Sequence, residues 1–253
     1  MRSIEFSKRT TKEILRDPLS YIFCLGFPII MLIIMTAVDR SIPKEAQMKI
    51  FKIQSLAPGM AIFGLTFVML FTCIQLSKDR TTAFLTRLYA SPMKSVDFIV
   101  GYTLPSVVLA LLQITITYVC SFIVAAITGG DLKFVNVLLS VTCLLPSVLL
   151  YIGFGLLFGA LLNDKAAPGI CSIIITLSCM IGGIWMDVDL MGGGIKSFSH
   201  SLPFYHGVKA VRMAVSGDMG DASRSLLITL AYATVIYILA IVVMQGKMKK
   251  DVR

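Results

Sequence analysis

The chain has 253 residues, of which 57% are hydrophobic and only 15% charged, and its mean hydropathy is +0.86. A soluble domain carries about 25% charged residues, so the composition excludes an ordinary soluble protein. The net charge of +9 does not indicate nucleic acid, because the charges are scattered through short segments between apolar stretches.

All 37 charged residues (23 Lys and Arg, 14 Asp and Glu) fall outside six apolar stretches, at 19–38, 57–76, 98–127, 134–162, 166–186 and 225–244. Each is about 20 residues or longer, the length a helix needs to cross ~30 Å of hydrocarbon. A continuous helix satisfies its own peptide groups where water is absent. The expected fold is an all-α membrane protein, six transmembrane helices in one domain over residues 1–253. No room is left for a soluble domain, so any catalytic domain must come from a partner.

Residues 1–18 carry Ile4, Phe6, Ile14 and Leu15 among Arg2, Lys8, Arg9, Lys12 and Arg16. That mixture suits an interfacial helix lying on a leaflet, broken at Asp17-Pro18. The first apolar stretch is too long for a signal peptide, and Ala37-Val38-Asp39 makes a poor cleavage site, so the span is expected to be retained. Pro28, Pro105, Pro146 and Pro168 predict kinks that neighbouring helices must support.

The segment 77–97 is longer than a simple connection between spans requires, and such loops are often functional. Phe84, Leu85 and Leu88 share one face with Arg80 and Arg87 beside it, and Ala90-Ser91-Pro92 stops the helix. A short amphipathic helix is expected. The residues alone leave open whether it lies on the bilayer or docks into a partner's groove.

Gly155 and Gly159 stand at small-xxx-small spacing, which serves packing within the chain or dimerisation equally well. The segment 187–224 is too polar to span and too apolar for a free tail. Two short re-entrant helices split near Pro203 are expected there. His200 and His206 stand six apart with no acidic or thiol cluster evident beside them, so interfacial contact is the better reading than a metal site.

With alternate segments on opposite sides, the side holding both termini carries fourteen basic and seven acidic residues, against nine and seven on the other. Basic residues favour the cytoplasm, so both termini are expected inside. All six Cys lie within apolar stretches and imply neither a metal nor a disulfide framework. An ion-coupled carrier or an intramembrane enzyme needs ionisable groups at depth. The stretches contain none, so no catalytic, cofactor-binding or metal residue is assigned.

In order along the chain, the motifs resemble those of a type-2 ATP-binding-cassette transporter permease of the bacterial drug and natural-product exporter kind. The resemblance rests on Arg16-Asp17-Pro18, Phe27-Pro28, Asp79-Arg80, Leu85, Arg87-Leu88 and Ser91-Pro92. In the outer segment it rests on Leu202-Pro203-Phe204-Tyr205, Ala210-Val211-Arg212 and Gly217-Asp218. Ala83 departs from it, since many relatives place Gly there.

The resemblance implies a coupling helix in which Phe84, Leu85 and Leu88 fill a groove of a cytoplasmic ATPase. Asp79, Arg80 and Arg87 would set its register, and Pro92 would end it. It implies an outer re-entrant motif at Pro203, Phe204, Tyr205 and Arg212. It also implies two ATPase subunits carrying ATP and Mg, a second permease, identical or paralogous, contact with membrane lipid, and a place in the bacterial cell membrane. The chain has no GxxxxGK[ST] loop of its own. Thr66, Thr72, Gln75, Ser172, Thr176 and Ser178 are candidates for a substrate path, with Gln113 and Asn136 as further polar positions. Absence of charge at depth suggests an amphipathic drug, antimicrobial peptide or lipid-like cargo. The single Trp, Trp185, argues against a sugar-stacking channel. A non-transporting sensor or immunity permease with the same fold, or an ion-coupled carrier, is the alternative.

Overall fold

The computed structural model describes residues 2–43, 48–82, 94–220 and 222–251, and among these it is helical with no strand. In chain order the helices are α1 (Arg2–Arg16), α2 (Pro18–Ser41), α3 (Ile53–Thr81), α4 (Ser95–Thr128), α5 (Phe134–Leu161), α6 (Ala167–Met180), α7 (Gly193–Ser201), α8 (Pro203–Ser216) and α9 (Ala222–Asp251). Five of them, α2, α3, α4, α5 and α9, are long and apolar enough to cross a membrane.

The fifth apolar stretch does not run as one helix to residue 186. α6 has 14 residues, which is about 21 Å at 1.5 Å per residue. It ends at Met180, and three residues on, Gly183 takes a φ of +86°, a left-handed conformation open chiefly to glycine. The chain then turns back, and Trp185 sets its ring edge-on against Phe63, with centroids 5.3 Å apart.

α3 is the axis of the fold. In its most apolar stretch 78% of the residues are buried, against 17% in α2 and α9. It packs on α2, α4, α5, α6 and α8, while α9 lies outside against α5 and α8. The glycines of α5 decide its closest neighbour. A Cβ on Gly155 would lie 2.6 Å from the Met69 carbonyl oxygen, and one on Gly159 would lie 2.9 Å from that of Cys73. The small-xxx-small pair therefore seats α5 on α3 within the chain.

α1 lies against α4. Phe6 is buried and edges onto Phe98 and Tyr102 with centroids 5.6 and 5.0 Å away. Its ring fills the notch at Gly101, where a Cβ would come within 2.3 Å of it. Ile14 packs beside the core, whereas Ile4 and Leu15 face outward, leaving an apolar surface suited to lipid. Asp17 caps the start of α2 by accepting from the Leu19 N–H at 3.1 Å and the Ser20 hydroxyl at 2.7 Å. Next to Pro28, α2 takes one π-helical turn at Ile22–Gly26, a common response where the helical ladder is interrupted.

Candidate functional site

The segment expected to couple to a partner leaves the end of α3. α3 itself continues through Thr81, so Ser77, Asp79 and Arg80 stand on its last turns rather than in a loop. Phe84, Leu85, Arg87, Leu88 and Pro92 lie outside the described residues. Lys94 resumes the chain, and its N–H donates to Asp97 Oδ2 at 2.9 Å to open α4.

Asp79 and Arg80 point to different neighbours. Asp79 is buried, accepts the Tyr102 hydroxyl at 2.6 Å and stands 3.8 Å from the Arg9 guanidinium. Arg9 also pairs with Glu13 on α1. Arg80 donates to the carbonyl oxygens of Gly159 at 3.0 Å and Leu162 at 3.2 Å. These are the free carbonyls at the end of α5, where a cation is favoured. The two residues thus tie the end of α3 to α1, α4 and α5 at once.

The candidate path residues do not form one line. Thr72 bonds the Val68 carbonyl at 2.7 Å and the Ser106 hydroxyl at 2.9 Å, joining α3 to α4. Thr72 and Gln75 line a cavity of about 440 Å³ between α1, α2, α3 and α4. Thr66 is buried and bonded to the Phe63 carbonyl. Ser172 and Thr176 bond carbonyls of their own helix on the exposed face of α6, the usual habit of such residues in spans. Gln113 is buried on Gly64 and donates to Thr117 at 3.0 Å, and Asn136 donates to the Val215 carbonyl at 2.9 Å.

At the opposite end of the bundle the short helices α7 and α8 meet at Leu202-Pro203. Pro203 begins α8, and Phe204 is buried against Tyr151 and Phe154 with centroids 5.9 and 5.7 Å away. Tyr205 donates its hydroxyl to both carboxylate oxygens of Asp189, at 3.1 and 3.0 Å. His200 stacks on the Tyr205 ring at 4.3 Å and reaches Asp189 at 3.2 Å, and Lys196 approaches the same carboxylate at 3.6 Å. The fold thus brings to His200 an acid that the sequence did not place beside it.

Partial burial would raise the Asp189 carboxyl. The bonds from Tyr205 and His200 and the charge of Lys196 outweigh it and hold the group below the usual carboxylate value. His206 donates Nε2–H to the His200 carbonyl at 2.9 Å, while burial pulls its pKa below the ordinary value. Arg212 donates Nε–H to the Ser55 carbonyl at 3.2 Å and a terminal N–H to that of Ile184 at 3.3 Å. Burial pushes this guanidinium down to about 10, with Asp187 opposing, so it stays charged at neutral pH. Arg212 thereby clasps the start of α3 and the turn after α6 onto α8.

Arg9, Glu13, Tyr102, Asp189 and Lys196 are members of these two clusters to which sequence reasoning gave no site role. Arg9 meets Asp79 70 positions on, Tyr102 meets Asp79 23 positions back and Asp189 meets Tyr205 16 positions on, and no helical periodicity marks such pairings. A carboxylate near the end of an apolar span was the one available hint that a partner must exist.

Residues 4–215 match the family described as ABC-2 type transporter. The chain is also 21% identical over 231 residues, 90% of its length and 91% of the relative's, to a Bacillus subtilis (strain 168) protein named "Putative transport permease YvfS". With its bundle of apolar helices, this multi-pass membrane protein belongs to the ABC-2 type transporter family.

Proposed function

We propose that the chain is the permease half of an ATP-driven exporter in the bacterial cell membrane. Two cytoplasmic ATPase subunits, which bind ATP and Mg, and a second permease, identical or paralogous, complete the machine. In this reading α6 and the turn after it make a sixth crossing. Both termini and segment 83–93 then face the cytoplasm, where the excess of Lys and Arg favours them. α7 and α8 dip into the membrane from the other side.

The single observation that carries the reading is the clamp at Asp79 and Arg80. A coupling helix at 83–93 would be joined to α3 at a point bonded to α1, α4 and α5. Movement of a docked ATPase would therefore reach four helices rather than swing a free loop. Phe84, Leu85 and Leu88 would sit in the ATPase groove, with Arg87 at its edge. The cargo class that fits spans without ionisable groups is an amphipathic drug, an antimicrobial peptide or a lipid-like molecule.

The test is purification of the tagged chain from its native membranes under mild conditions. A stoichiometric ATP-binding subunit is expected, lost on Leu88→Asp or Arg87→Glu while the chain still purifies as a folded species. A second, different six-span protein would identify a heterodimer. A chain that purifies without any ATPase would overturn the reading.

A further inference from the structure

The cavity beside α1 has a polarity gradient that the transport reading does not use. Its mouth carries Arg16, at the end of α1, and Lys78, on the last turns of α3. Its floor is formed by Phe71, Thr72, Ser106 and Leu109, inside the apolar lengths of α3 and α4. Lys78 and Thr72 are six residues apart on one helix, about 9 Å along its axis. The hollow therefore runs from the charged boundary of the bundle into its apolar depth, and its volume of about 440 Å³ is that of a ligand pocket.

The charges at the mouth differ in their engagement. Glu13 is held by Arg9 and lies 3.5 Å from the Gln75 amide, Asp17 accepts from Ser20 and the Leu19 N–H, and Asp79 accepts from Tyr102. Arg16 and Lys78 are exposed and make no salt bridge or side-chain hydrogen bond among the described residues. The lining thus holds three carboxylates and two cations. The carboxylates have directed partners, whereas no directed bond engages Arg16 or Lys78, whose N–H groups are left available to a ligand at the rim of an apolar hollow.

We infer that this cavity binds a phosphate-headed lipid, with the phosphate between Arg16 and Lys78 and an alkyl chain lying over Phe71 and Leu109. The directed N–H donors of Arg16 and Lys78, rather than the net charge of the lining, select the head, and the apolar floor selects the chain. Cations at a membrane surface attract anionic headgroups in this way. The inference stands on the cavity alone, whether or not the chain exports.

The full chain, purified in a non-ionic maltoside detergent, is titrated with monododecyl phosphate, with dodecanol and with inorganic phosphate. Bound adducts are counted by native mass spectrometry. One dodecyl phosphate per chain is expected, with no dodecanol adduct and no competition from millimolar inorganic phosphate. Arg16→Gln with Lys78→Gln should weaken binding roughly fivefold per charge removed, and Leu109→Trp should abolish it by filling the floor. Lys8→Gln with Lys12→Gln removes the same charge from the exposed side of α1 and should change nothing. An equal loss in that control pair would reduce the effect to surface charge and overturn the site. Competition by inorganic phosphate would overturn it in favour of a soluble anion, and equal binding of dodecanol would remove the role of the cations.

Discussion

The hydroxyl of Tyr102 and the carboxylate of Asp79 meet at 2.6 Å, joining the second turn of α4 to the last turns of α3 across 23 residues of sequence. Around this contact α1 is fastened by Phe6 and Arg9, so one hydrogen bond sits where three helices converge.

Tyr102→Phe removes the donor and leaves a buried carboxylate short of a partner. Such an orphaned acceptor costs about 1–3 kcal/mol. The variant should unfold at a lower temperature in detergent, read by a thermal-shift assay. Unchanged stability would mean that the contact carries no weight in the clamp.

The α3–α5 crossing makes a graded prediction. Gly159→Leu forces a side chain against the Cys73 carbonyl and the Leu76 side chain, and should destabilise by about 3 kcal/mol or prevent folding. Gly153→Ala adds one methyl group whose nearest neighbours are side-chain atoms of Ile236 and Tyr237 at 3.1 Å rather than a backbone carbonyl. Its effect should be distinctly smaller. Equal losses at the two positions, measured by thermal aggregation, would contradict this packing.

Arg212→Gln should loosen two segments far apart in sequence, the start of α3 and the turn at 181–187. Each carbonyl bond to a charged donor is worth about 1.5–3 kcal/mol. Arg212→Lys keeps the charge but not the fork that spans two carbonyls, so it should rescue only in part. Hydrogen exchange at both segments reports the change, and loosening of one alone would place the clasp elsewhere.

The cluster around α7 and α8 should weaken as pH falls. His206 has a folded pKa lowered by burial, so its contribution is present above the unfolded value and is lost as pH drops below about 6.5. Asp189 also has a lowered folded pKa, so its contribution is lost further down, below about pH 4. Amide exchange in α7 and α8 should therefore speed up between pH 7.5 and 5.5, and His206→Asn should remove that step. A profile flat over this range in the unmodified chain would refute the assignment.

Much of the local architecture was legible in the residues. Asp17-Pro18 ends α1, Pro203 opens α8, and charges at the stretch boundaries fall within a turn or two of the ends of the spanning helices, because these signals act locally along the backbone. The α6 end was misjudged for the same reason. An apolar run of 21 residues reads as a span, yet the helix stops at Met180 and the turn at Gly183 sets Trp185 against Phe63, about 120 residues earlier in the chain.

By itself, the sequence determined that the chain is a bundle of apolar helices with charged ends, since hydrocarbon tolerates neither bare charge nor unpaired peptide groups. Only the tertiary structure decided which partners the polar residues at those ends take. Asp79 and Arg80 turn to Tyr102 and the α5 carbonyls, Gly155 and Gly159 seat α3 within the same chain, and His200 receives Asp189. Helix periodicity is a property of neighbours in sequence. These pairings join residues 11 to 86 positions apart, and only packing the helices together selects them.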